Sequence, residues 1–164
     1  MMRKIIIIAI ILFFAKCSTK NPTEFPELVL QEKMVTLDDS STTLKTVLEK
    51  HKGNKILIDV WASWCADCIK GLPDVNQLQN DFKDVRFVFL SVDKRNTAWK
   101  NGVKRFNIKG DHYNLPKGNK KGDFVDFINL WWIPRYIVIN EEGKITLFKA
   151  TKATDKKIRE ALLQ

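Results

Sequence analysis

Between Ile56 and Trp61 the chain is apolar at every position but Asp59. A run without alternation suits a strand buried on both faces, the mark of a central strand in an α/β sheet. Val85 to Val92 is a second strand of this kind. After Cys68 the period changes, and Ile69, Leu72, Val75, Leu78 and Phe82 fall at helical spacing, interrupted by Pro73. Asn96 to Phe106 reads as a helix with Trp99, Val103 and Phe106 on one side. Upstream, Leu28-Val29-Leu30 and Met34 to Leu37 look like short strands. Asp38, Asp39, Ser40 and Ser41 offer N-caps for a helix through Leu44, Val47 and Leu48 that ends near Gly53. Downstream, the stretch 107–122, rich in glycine and lysine, reads as loop with a short strand around His112 to Leu115. A short helix through Phe124, Phe127, Ile128 and Leu130 follows. Arg135 to Asn140 and Lys144 to Lys149, joined by Glu141-Glu142-Gly143, predict a hairpin. Asp155 to Leu163 closes as a helix with Ile158, Leu162 and Leu163 inward.

With 164 residues, 45% apolar and 29% charged, the chain has the make-up of one globular domain plus an N-terminal appendage. Arg3-Lys4 precedes an apolar run from Ile5 to Ala15. That is the length of a signal-peptide core, and well short of the roughly 20 residues a spanning helix needs. Cys17 follows after Lys16, and its setting resembles a bacterial lipobox, in which the thiol is lipidated and becomes the new N-terminus. Lys16 departs from that pattern, since the preceding residue is usually small; simple cleavage or an uncleaved anchor are the alternatives. The expected organisation is a leader over 1–17, a tether over 18–27 and one domain over 28–164, exported to the periplasm or cell envelope and held to the membrane through a lipid anchor. The net charge of +9 is scattered, with no basic stripe interleaved with aromatics. A nucleic-acid partner is therefore not expected.

The chemistry concentrates in Trp64-Cys65-Ala66-Asp67-Cys68, a Cys-x-x-Cys pair between the first buried strand and the first long helix. Two thiols at this spacing can close a disulfide, and the first, at the mouth of a helix, can be a reactive thiolate. A zinc site would need further ligands, and the only histidines, His51 and His112, are far off in sequence. A purely structural bridge across two residues would restrict the unfolded chain little. Asp59, an acid in an apolar strand, should have a raised pKa if buried. It would then be a proton acceptor for Cys68; the alternative is a strand-end carboxylate facing solvent.

The segment Ile56 to Cys68 closely resembles the active-site segment of thioredoxins. Pro73, five residues past the second cysteine, resembles the proline that kinks the redox helix, and Ile133-Pro134 looks like the family's cis-proline. With an N-terminal strand extension and a long insertion before that proline, residues 30–164 look most like the TlpA-like (ResA-like) thiol-disulfide oxidoreductases. The resemblance implies a thioredoxin fold, a central mixed β-sheet flanked by helices. It also implies Cys65 as nucleophile, Cys68 as resolving thiol, and no cofactor beyond their disulfide. Asp59 matches the family's buried aspartate. A cis Pro134 would turn the Ile133 backbone toward the sulfurs, and the substrate contacts would be Trp64, Ala66, Asp67, Ile133 and Pro134. The expected apolar rim is Trp61, Trp64, Trp131, Trp132 and Ile133, with one of the paired tryptophans packing inward.

Two departures bear on the chemistry. Gly71 stands where many TlpA-like proteins have a glutamate, which leaves Asp59 to carry the proton. Asp67 stands where proline is common. Its carboxylate either opposes the helix dipole and makes the couple more reducing, or points to water as an ordinary first-turn residue. The implied partners are disulfide- or thiol-bearing envelope proteins, with a membrane electron donor of the DsbD or CcdA type. Two other functions share the fold class. A peroxiredoxin-like peroxidase needs a threonine or serine where Ala62 stands. A non-catalytic module would simply hold an extended peptide on the tryptophans.

Overall fold

The computed structural model describes residues 21–164; the leader and Cys17 lie outside the described residues. The sheet has seven strands in the order β2-β1-β5-β4-β3-β6-β7. Its centre is β3 (Ile56–Trp61), parallel to β4 (Arg86–Ser91) and antiparallel to β6 (Arg135–Ile139). Every residue of β3 and β6 is buried, which is why neither shows alternation. Leu57, Ile58 and Val60 are sealed from solvent, each worth roughly 1.5–3 kcal/mol in burial. Strand β7 (Ile145–Ala150) completes the hairpin on one edge. On the other edge β5 (Asp111–Asn114) lies parallel to β4 and carries β1 (Lys33–Thr36) and β2 (Ser41–Thr43) outward. Helices α2 (Leu44–Lys50), α3 (Ala66–Asp81), α4 (Asn96–Arg105), α5 (Asp123–Phe127) and α6 (Lys156–Leu163) join the strands. The insertion thus splits into a strand that widens the sheet and a short helix that leads into the cis-proline.

Four local expectations fail; the simplest is Leu163, expected inward but 75% exposed at the end of α6, where Ile158, Ala161 and Leu162 make the buried face. Leu28-Val29-Leu30 is not a strand but part of a one-turn helix, α1 (Glu27–Leu30), in which Pro26 O accepts from the amides of both Val29 and Leu30. Only Val29 is buried and Leu28 is exposed, as one face of a turn demands. Residues Asp38 to Ser41 do not cap α2. They form and leave the turn between β1 and β2, where Ser40 O accepts from Thr36 N and Asp39 is left-handed. The cap is Thr43, whose hydroxyl accepts from Thr46 N at 3.2 Å. Finally, the segment expected as a tether is tied down from residue 23 onward. Thr23 O accepts from Ile145 N at 2.7 Å, and Phe25 is buried between Phe124 and Phe127, with ring centroids 6.0 and 5.6 Å away. An aromatic side chain gains more from that slot than a free linker keeps in entropy.

Candidate active site

Strand β3 ends at Trp61, and Cys65 sits four residues later as the N-cap of α3, with extended backbone and its Sγ accepting from Cys68 N at 3.1 Å. Cys65 and Cys68 form a disulfide, with Cα atoms 5.2 Å apart. In the reduced state the same amide and the positive end of a four-turn helix would face the Cys65 sulfur, and both favour thiolate over thiol. Both cysteines are buried, but only Cys65 lines a cavity, one of about 370 Å³ walled by Trp64, Asp67, Trp131, Trp132 and Ile133. The Ile133–Pro134 peptide is cis, and it places the Ile133 carbonyl oxygen 3.7 Å from Cys65 Sγ. Pro134 is buried, while Ala66 and Asp67 are exposed on the first turn of α3.

The tryptophan rim differs from expectation in two ways. Trp61 is fully buried and takes no part; as the last residue of a strand covered on both faces, it packs beneath α4. Trp131 and Trp132 are both exposed, at 65% and 48%, so neither packs inward. They lie in an irregular segment rather than a strand, so the alternation that would send one of them into the core does not apply. Lys149 Nζ lies 4.8 Å over the Trp131 ring.

Asp59 is 3% exposed, with one carboxylate oxygen lacking any hydrogen-bond partner, and burial pushes its pKa up to about 8. It does not face solvent. Its register partner on β6 is Tyr136, and side chains directly opposite in an antiparallel pair share a face. The Tyr136 hydroxyl is also buried without a partner, and its pKa is raised by burial and by Asp59 and Asp74. A Cβ on Gly71 would meet that hydroxyl at 3.6 Å. Two polar groups therefore lie under the redox helix where the sequence pointed to one.

A further buried group has no local signal in the sequence: Asp93, which is 1% exposed. Its carboxylate accepts from Ser63 N at 2.8 Å, Ser63 Oγ at 2.7 Å and Ser91 Oγ at 2.8 Å, and its carbonyl accepts from Asn114 Nδ2 at 2.8 Å. This ties the turn before Cys65 to the ends of β4 and β5. Its members come from three separate stretches, around Ser63, Ser91 to Asp93 and Asn114, so no local spacing reveals it. The two histidines lie elsewhere and are engaged. His51 Nε2 is 2.8 Å from Asp111, while His112 stacks on Phe89 and contacts Ile108 O at 3.0 Å.

A sheet with this order, a disulfide at a helix N-terminus and a cis-proline beside it define a thioredoxin-type redox fold. The model of the thioredoxin-like family matches residues 53–145, and the chain belongs to that family. It is similar to the thiol-disulfide oxidoreductase ResA of Bacillus thuringiensis subsp. konkukian, at 28% identity over 104 residues, 62% of this chain and 57% of ResA. The matched part is thus less than two thirds of that relative's length. The thioredoxin-like protein YneN of Bacillus subtilis is 29% identical over 142 residues, 83% of this chain and 81% of YneN. Among solved structures, a candidate thiol-disulfide oxidoreductase of Bacteroides vulgatus superposes with a TM-score of 0.65 at 32% identity, covering 79% of this chain and 82% of that one.

Proposed function

We propose that the protein is a thiol-disulfide oxidoreductase that reduces disulfides of partner proteins in the cell envelope. The observation that carries this reading is the placement of Cys65: helix cap, cavity wall and neighbour of the cis Ile133–Pro134 peptide at once. In the reduced enzyme the Cys65 thiolate attacks one sulfur of a partner disulfide. The partner's S–S bond breaks and its second sulfur leaves with the electron pair. Cys68 then gives its proton to the ionised form of Asp59, which predominates only above about pH 8, and attacks Cys65. The partner's sulfurs leave as thiolates that take protons from solvent, and the Cys65–Cys68 disulfide remains. Trp64, Ala66, Asp67 and Ile133 form the surface on which the partner segment rests, with the buried Pro134 holding the Ile133 backbone in place beneath it. Turnover requires a dithiol donor, for which a membrane protein of the DsbD or CcdA type fits. The leader with Cys17 supports export and lipid anchoring in the envelope.

The test is trapping. In Cys68→Ser the mixed disulfide has no resolving thiol, so partners accumulate covalently on Cys65 and are released by dithiothreitol. Cys65→Ser captures none and loses insulin reduction. A Cys65→Ser protein with full activity would instead describe a module that holds peptides without redox turnover.

A further inference from the structure

The cavity above Cys65 does not end at Trp64. A second groove of about 270 Å³ continues past that indole, lined by Val92, Asp93, Lys94, Arg95, Ala98 and Asn119, with the Asp93 carboxylate, 1% exposed, turned inward onto Ser63 and Ser91. Trp64 and Asn119 line both hollows, so together they form one track running from the sulfur to the start of α4. The insertion builds its outer wall. Asn119 stands in both hollows, and the Lys94 stem lies along Gly118, where a Cβ would meet Lys94 Cγ at 3.3 Å. The distal half of the track is cationic. Lys94 and Arg95 are exposed and make no ion pair among the described residues. Helix α4 begins there with no side-chain cap and no acid in its first turn, so its dipole adds to the same sign. Neighbouring carboxylates are committed elsewhere: Asp93 is buried on Ser63 and Ser91, and Asp39 pairs with Lys100 at 2.7 Å. The proximal half has the opposite character, with the exposed rings of Trp64, Trp131 and Trp132 and the single carboxylate of Asp67.

We infer that this track selects its substrate: an extended polypeptide whose reactive cysteine sits against Ile133 and whose flanking residues, two to four positions away, carry aspartate or glutamate on the Lys94–Arg95 side. The inference rests on the redox reading above and narrows its substrate class. Apolar residues next to the cysteine would cover the tryptophans, and the acids would reach the cationic end. A solvent-exposed pairing of this kind acts on the encounter rate more than on the bound state, and salt weakens it.

The experiment uses the reduced full-length protein and three synthetic peptide disulfides of equal length, each a homodimer through one cysteine. They carry Asp, Ser or Lys three residues from it, and hydroxyethyl disulfide serves as a neutral small control. At low ionic strength the Asp peptide should be reduced about 5–10-fold faster than the Lys peptide, and the ratio should shrink toward one at roughly 1 M salt. The Lys94→Glu/Arg95→Glu variant should lose or invert that order while reducing hydroxyethyl disulfide at the parent rate and keeping the parent redox potential. Equal rates for the Asp and Lys peptides, or an acidic preference that persists in the variant, would overturn the inference and leave the redox reading standing. Failure to reduce any of the four disulfides would instead sink the redox reading itself.

Discussion

Asp59 is the residue whose energetics are most exposed to test. Its carboxyl titrates near 8 in the folded protein and near the ordinary 3.9 in the unfolded chain. Between those values the folded state holds a proton that the unfolded state has released, so stability falls as pH rises from about 4 to about 8 and is level beyond. Asp59→Asn removes that cost. The variant should match the parent near pH 4 and exceed it by roughly 3–4 kcal/mol at pH 7, read from urea midpoints across the range. It should also prolong the mixed disulfide, because Cys68 loses its proton acceptor. A stability difference independent of pH would mean that Asp59 is ionised in the folded state. The position of Asp59 was legible because an acid in an otherwise apolar strand stands out. Tyr136 was not, since its meaning comes from register across the sheet and its own strand shows only an aromatic among aliphatics. Asp93 is likewise invisible locally, being an ordinary acid after a strand until its three donors are seen together.

At the scale of elements, the redox turn is held from two sides: Asp93 binds the Ser63 amide, and α4 presses on the Ser63 side chain. Gly102 makes that approach possible, since a Cβ there would lie 2.6 Å from Ser63 Cβ and 3.3 Å from the Trp61 ring. Neither contact is the loose end of a flexible chain. Alanine is the better helix former by up to about 1 kcal/mol, yet Gly102→Ala should destabilise by about 1–3 kcal/mol through overpacking. It should also shift the reactivity of Cys65, because the displaced turn leads directly to it. A stabilised variant with unchanged thiol reactivity would show that α4 does not constrain the site. Periodicity predicted α4 and its buried Trp99 but could not say that α4 lies on the redox turn. The same limit explains Trp61. A strand covered on both faces shows no alternation, so nothing in its pattern marks which way the last side chain points. Trp131 and Trp132 lie outside any strand, so strand alternation says nothing of where they point.

For the whole molecule, the central strands and the helices between them were readable from apolar runs and helical spacing. The segment before Leu28 reads as a tether because Pro22, Pro26 and small polar residues surround a single aromatic, Phe25, whose slot only the tertiary fold creates. Phe25 packs on Phe124 and Phe127 of α5, so the segment before α1 is part of the core. Phe25→Ala should therefore cost about 3 kcal/mol, seen as a lower urea midpoint with the same slope, where a free tether would give no change. All of these constraints converge on one sulfur at the cap of α3. The most direct test is the pH dependence of iodoacetamide alkylation in the reduced protein, with Cys68→Ser isolating Cys65. The account predicts a midpoint between about 3.5 and 7.5, below the 8.5 of a free thiol, and a rate at neutral pH above that of free cysteine. A midpoint at or above 8.5 would contradict it.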